Sequence, residues 1–315
     1  MKTSIINAMS NKEVKVITVK QAKKQINTFG IPLVFFFLLM CVINFFSSNI
    51  FKLLPSDLDQ DYVILIALII LTLLFTFIIL INARIQLHLN FKDYWKMPKI
   101  SPKKEFSYII LGLGIMLLTT SFSSLFSNFF MNTSYKQFSF FGDFKTTNTT
   151  IKNLIYFFYF ILLKPITDEI IFRGIVQRQL GHYGRYFGVL GSAFLFALLQ
   201  GNLVNAIPAF FIGWYLALIA LKYHSIRITV MSTCTIYLFD WLINIIPNNL
   251  ILLSALLILI VYILCVVILI NKTLEYKTLG SDATDNRLWK IYLTSPSILI
   301  ICILFIISQI LYICM

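Results

Sequence analysis

The chain has 315 residues, of which 59% are hydrophobic and 12% charged, and it carries a formal net charge of +13. A charged fraction about half that of an average soluble domain cannot cover a water-exposed fold, which excludes a soluble protein. The positive charge does not mark a nucleic-acid reader, because Lys and Arg lie between apolar stretches rather than on one face of a polar domain, a distribution that reports membrane orientation.

Residues 1–28 hold Lys2, Lys12, Lys15, Lys20, Lys23 and Lys24 and read as a basic cytoplasmic tail, either amphipathic at an anionic leaflet or disordered. The first strong apolar run begins near residue 30 and is long enough to span, so no cleavable signal peptide is expected and the N-terminus is retained. A helix needs roughly 18 to 20 apolar residues to cross about 30 Å of hydrocarbon. Runs of that kind predict nine spans, at about 29–48, 62–83, 107–129, 153–176, 187–201, 206–221, 228–246, 250–271 and 291–314. The fifth to seventh are short or interrupted by polar residues, as helices lining a protein interior are.

Loop charges orient the spans. The tail and the loop with Arg84, Lys92, Lys96, Lys99, Lys103 and Lys104 go to the cytoplasm, as do the turns holding Arg178 and Arg185, Lys222 and Arg227, and Lys272 to Lys290. Opposite loops are acidic (Asp57, Asp59, Asp61) or nearly uncharged (Asn202 to Asn205, Pro247 to Asn249), and the stretch Thr146 to Thr150 reads as an external loop. The loop with Lys136, Lys145 and Lys152 departs from this alternation. The expected fold class is all-α, a polytopic transmembrane helical bundle in a cell membrane. Its divisions are the tail 1–28, N-terminal helices 29–149, a core 150–246 and C-terminal helices 247–315.

Chemistry concentrates in the fourth span, in Lys164-Pro-Ile-Thr-Asp168-Glu169-Ile-Ile-Phe-Arg173-Gly174. A charge at mid-span costs about 2.5 to 3.5 kcal/mol on insertion scales, so these side chains should point into the bundle. Glu169 and Arg173 are spaced i, i+4 with the acid first, the favourable order for an ion pair. Asp168 projects about 100° away and can face a cavity. Such a cluster serves equally as a neutralising structural knot or as a functional site. Lys164 could pair with an acid that the sequence leaves unnamed, and Asp240 reads as an interfacial residue beside Trp241.

The segment Asp168-Glu169-x-x-x-Arg173-Gly174 resembles the EExxxRG signature of the CPBP intramembrane proteases, a family that includes CAAX-processing endopeptidases and bacteriocin-immunity (Abi) proteins. That family carries a second motif, FxxxH, on the next helix; Phe196-Ala-Leu-Leu-Gln200 matches it with Gln200 in place of His. A third motif supplies His and, four residues on, Asn. The frame set by Gly213 and the turn Lys222 to Ile226 puts Thr233 and Tyr237 at those positions. The resemblance implies a CPBP-protease-like core over 150–246 and a bacterial membrane.

In the family, as the resemblance implies, the first Glu activates water while the two His and the Asn position it or stabilise an oxyanion. Here the site would consist of Asp168, Glu169, Arg173, Gln200, Thr233 and Tyr237. Asp168 is one methylene shorter than Glu, Gln200 can donate to an oxyanion but cannot shuttle a proton, and Thr233 and Tyr237 bring no imidazole. These departures point to a catalytically impaired homologue that binds or regulates membrane proteins or bacteriocin-like peptides; an active endopeptidase is the alternative. The alignment further requires Asp168, Gln200 and Thr233 to converge on one cavity.

His88, His182 and His224 fall in loops or turns, and no HExxH pair exists, so neither a metal nor another cofactor is expected. Cys41, Cys234, Cys265, Cys302 and Cys314 lack metal-ligand spacing and read as small apolar residues. Partners are the lipid bilayer and a membrane protein or peptide, with no nucleic acid. A transporter would explain buried charge, but the sequence shows neither internal repeats nor paired broken helices.

Overall fold

The computed structural model describes residues 5–9, 14–51, 60–88, 95, 100–130, 150–270 and 286–314. The loop of Lys136 and Lys145, the Thr/Asn stretch before Thr150, Asp57 and Asp59, and the basic turns near 92–99 and 272–277 lie outside them. A short antiparallel hairpin pairs β1 (Ile5–Met9) with β2 (Val14–Thr18). The rest of the architecture is an all-α bundle.

Helix α1 runs Val19–Phe51, ten residues ahead of the predicted start at 29. Ala22, Ile26, Phe29, Leu33 and Phe37 recur at helical spacing and are buried, so this stripe docks the lysine-bearing turns against the bundle, with Lys20 and Lys24 exposed and Lys23 donating to the Thr294 carbonyl at 3.2 Å. Next come α2 (Gln60–Gln86) and α3 (Pro102–Phe130). The predicted fourth span is one helical path in five pieces: α4 (Thr150–Phe157), a π-helical segment Phe158–Leu163, α5 (Lys164–Glu169), a second π segment Ile170–Val176, and α6 (Gln177–Gly181). Then follow α7 (Arg185–Leu198), α8 (Leu203–Tyr223), α9 (Arg227–Ile245), α10 (Ile251–Ile270), α11 (Asn286–Leu293) and α12 (Pro296–Cys314).

Each predicted span is thus helical, but nine crossings are not what length and composition support. Among the described residues five helices are long and apolar enough to cross a membrane: Val19–Ile43, Tyr62–Gln86, Pro102–Phe126, Leu203–Tyr223 and Ile251–Ile270. The predicted last span is bent by 66° between Leu293 and Pro296, and counting that pair as one crossing gives six. Helix α7 is among the shorter apolar helices, at Arg185–Leu198.

Two apolar clusters flank the motif helix. One joins α1, α11 and α12 to α7 and to Ile171, Phe172, Ile175 and Val176 of the second π segment; the other joins α3, α9 and α10 to Ile212, Leu216 and Ile219 of α8. Small residues set the close crossings. A Cβ on Gly188 would sit 2.5 Å from the Gln177 carbonyl oxygen, so α7 meets α6 backbone to backbone. A Cβ on Gly213 would sit 3.0 Å from Phe196 and 3.4 Å from the Ala193 Cα, which brings α8 equally close to α7. The outer helix α10 buries little besides Val261 and Cys265; Leu252 and Ile270, 83% and 73% exposed, face outward as lipid-bathed side chains do.

Candidate functional site

The geometry of the motif helix starts from Pro165. Proline has no backbone N–H and its ring collides with the carbonyl four residues back, so the helix cannot keep an ordinary turn around it. The chain widens instead, and the Lys164 N–H reaches back five residues to the Tyr159 carbonyl. The same widening recurs after Glu169, where the Gln177 N–H bonds the Phe172 carbonyl. Wide turns of this kind inside helices concentrate at functional sites because they re-aim side chains. Here they bracket Lys164, Asp168, Glu169 and Arg173 on the short helix α5 and the turn after it.

Glu169 and Arg173 form a sealed pair. Both side chains are 1% exposed, and Arg173 Nε lies 3.4 Å from Glu169 Oε2. The guanidinium also donates from Nη2 to the Gly213 carbonyl at 3.1 Å and lies over the Phe196 ring at 4.9 Å. Absence of a side chain at Gly213 is what lets α8 offer that carbonyl. One turn on, Gln177 repeats the pattern by donating to the Ala217 carbonyl at 2.7 Å. On the other carboxylate oxygen, Thr233 donates to Glu169 Oε1 at 3.2 Å, while its hydroxyl also lies 2.7 Å from the Thr229 carbonyl. Tyr237, a turn later on α9, is buried and close enough to interact electrostatically with Asp168 and Glu169.

Asp168 faces the other way, into a cavity between the motif helix, α1, α2 and α7. Lys164 Nζ donates to its Oδ2 at 3.0 Å, which supplies the partner the sequence did not name. Gln200 lines the same cavity, its Nε2 donating to the Phe196 carbonyl at 3.2 Å. Apolar walls come from Leu33 and Phe36 of α1 and from Phe75 and Ile79 of α2, with Thr72 and Thr76 as polar lining. Thr72 holds Tyr159 at 3.0 Å and thereby ties α2 to the motif helix.

The site residues therefore divide in two. Asp168 and Gln200 share the cavity with Lys164; Glu169, Arg173 and Thr233 form a sealed network beside it, and Tyr237 does not line the cavity. Thr233 is not among the residues lining the cavity of Asp168 and Gln200; it reaches the motif through Glu169. Its position on α9 points it at the wall of the motif helix that faces away from α1 and α2.

The cavity walls on α1 and α2 escaped the sequence reading, although the pair Thr72 and Thr76, four residues apart in an otherwise apolar helix, was a usable signal. His88, His182 and His224 are all exposed, and none lines the cavity. Among the described residues no three His, Cys, Asp or Glu side chains come together as a metal-binding group.

Residues 150–239 match the family described as type II CAAX prenyl endopeptidase Rce1-like. The matched stretch begins at α4 and ends within α9, so it covers the motif helix, α7 and α8 but neither α1 nor α2. No curated protein and no solved structure matches the chain.

Proposed function

We propose that this membrane protein, whose residues 150–239 match the type II CAAX prenyl endopeptidase Rce1-like family, is a catalytically impaired CPBP-family member that binds or regulates membrane proteins or bacteriocin-like peptides. One observation carries the reading: the carboxylate that opens the motif, Asp168, is tied to Lys164 at 3.0 Å in a cavity whose other motif residue is the amide Gln200. The Lys164 ammonium occupies one Asp168 oxygen, and an amide cannot relay the proton that acyl transfer must deliver to the leaving amine. Glu169 is closed off from the cavity: its side chain is 1% exposed, Oε1 accepts from Thr233, and Oε2 lies 3.4 Å from Arg173 Nε as an ion pair without a hydrogen bond.

What remains is a recognition site. Apolar walls from α1 and α2 suit hydrophobic side chains, and Lys164, Asp168, Gln200 and Thr72 offer donors and acceptors to a peptide backbone. A protein of this kind sits in a cell membrane with its N-terminus on the cytoplasmic side, which reporter fusions after Met1 and after Lys222 would test by both reporting a cytoplasmic location.

The decisive experiment presents the purified protein in lipid nanodiscs with apolar-flanked membrane peptides. Peptides should be recovered intact by mass spectrometry, and their binding should weaken in Gln200→Ala and Phe75→Ala variants. Cleavage by the wild type that is lost in Asp168→Ala would instead establish an endopeptidase. The partial exposure of Asp168 to the cavity, with the Gln200 amide beside it, is the feature that favours that second reading.

A further inference from the structure

A cluster where the start of α3 meets the end of α8 takes no part in the cavity. Tyr108 and Tyr223 meet edge to face with ring centroids 5.6 Å apart, and their hydroxyls share a hydrogen bond of 3.0 Å. Lys222 donates from Nζ to the Tyr108 hydroxyl at 3.0 Å and stands 5.8 and 5.7 Å from the two ring centroids. Tyr215 donates to the Tyr108 carbonyl at 2.7 Å, which fixes α3 against α8 at this level. The lysine is exposed, yet its ammonium is held in one place by two aromatic rings and a hydroxyl.

More positive charge gathers around it. Lys103 and Lys104 are exposed in the first turn of α3, and Lys104 interacts electrostatically with Tyr223. Arg227 opens α9 just beyond the turn at Ser225 and Ile226, and Glu105 is the acidic residue of that first turn of α3. Both Lys103 and Lys222 belong to loops that the charge pattern assigns to the cytoplasm. Tyrosine rings beside lysines at the ends of spanning helices are the composition of a membrane–water interface, where the ring lies against the acyl region and the polar tip meets headgroups.

We propose that Lys222, held in place by the buried Tyr108, and the part-exposed Tyr223, with Lys104 at the rim, bind a phosphate group at the cytoplasmic membrane surface. An ammonium carries three donors, and a phosphate offers charged oxygens for them and for the Tyr223 hydroxyl. The headgroup of an anionic phospholipid presents such a phosphate at this depth, with its acyl chains running down the outside of α3. A free phosphate would use the same donors, so the experiment separates the two sources. The proposal does not depend on what the cavity does.

The test is native mass spectrometry of the detergent-purified protein with phosphatidylglycerol, phosphatidylcholine or inorganic phosphate, read beside the thermal unfolding temperature. Phosphatidylglycerol should be retained and should raise the unfolding temperature more than phosphatidylcholine does. Each basic residue near an anionic surface is worth about 1 kcal/mol, so Lys222→Gln should weaken retention about fivefold. Lys104→Gln, at an exposed position where folding is not at stake, should weaken it by a comparable factor. Competition by inorganic phosphate would identify the free anion as the ligand of the site; failure to compete identifies the lipid. Equal retention of both lipids without binding of inorganic phosphate, or unaltered binding in both lysine variants, would overturn the proposal and leave the cluster as a tie between helices.

Discussion

Replacing Arg173 with Met removes the counter-charge of Glu169 while keeping a long, flexible apolar side chain in the same space. Removing one member of a buried ion pair leaves an uncompensated charge and costs about 3 to 5 kcal/mol, or roughly two to four powers of ten in a folding equilibrium. The structure argues for the upper part of that range. Besides the Glu169 contact at 3.4 Å, the change removes the donor to the Gly213 carbonyl at 3.1 Å and the cation over the Phe196 ring at 4.9 Å.

Adding Glu169→Met removes the stranded charge, and the Thr233 hydroxyl still has the Thr229 carbonyl at 2.7 Å. The double variant should therefore recover at least about 2 kcal/mol relative to the sum of the single changes, the coupling expected of charges in one network. Unfolding titrations of the purified protein and its three variants in mixed micelles, followed by circular dichroism, supply the four corners of the cycle. Additive losses would show that the two side chains do not act as a pair, and the picture of a sealed anchor would be wrong.

Other consequences are smaller. Gly188→Ala places a Cβ 2.5 Å from the Gln177 carbonyl and 2.8 Å from the Gly181 Cα, where only backbone can move, and should destabilise by about 1 to 3 kcal/mol or more. Gly191→Ala meets the tip of Leu180 at 2.8 Å, which can rotate, so its thermal unfolding should shift distinctly less. The Thr72 to Tyr159 bond of 3.0 Å links α2 to the motif helix; Thr72→Val and Tyr159→Phe should each cost about 1 kcal/mol and, in a double-mutant cycle by the same titration, should not add. Asn202 caps α8 by accepting from the Asn205 N–H at 2.7 Å, and Asn202→Ala should lower stability by about 1 kcal/mol in the same assay.

Apolar runs made most of the helices legible, because a spanning helix writes its length into the sequence. The start of α1 was not found that way, since the window between Lys20 and Lys24 is too polar to register as a run. A finer periodicity was present all along in Ala22, Ile26 and Phe29, which face the bundle. The spacing rule that suggested Glu169 with Arg173 applies equally to Lys164 and Asp168, but their order, with the base first, is the less favourable one on an isolated helix and gave little reason to choose that partner.

Two features escaped a reading by hydropathy, although Thr294-Ser295-Pro296 was a local break signal for the first. The 66° bend between α11 and α12 falls within a stretch that hydropathy reads as continuous, and the side of α9 that Thr233 presents depends on how three helices cross. Spacing could place Thr233 opposite the motif. It could not tell which of two adjacent carboxylates Thr233 would meet.

The turn that carries Gln200 is fastened from outside the stretch that matches the family. Gln309 of α12 accepts from the Leu203 N–H at 2.9 Å and donates to the Gly201 carbonyl at 2.9 Å, and Ser308 donates to that carbonyl at 2.7 Å. Gly201 stands at φ 78°, a conformation open to glycine at little cost, and these bonds add to the turn's own, from the Gln200 N–H to the Ala197 carbonyl and the Gly201 N–H to the Leu198 carbonyl. The consequence is one of modularity. Residues 150–239 carry the turn's own backbone bonds and the Asn202 cap, but a protein that borrowed them without an α12 of its own would lose the bonds that Ser308 and Gln309 make to Gly201 and Leu203.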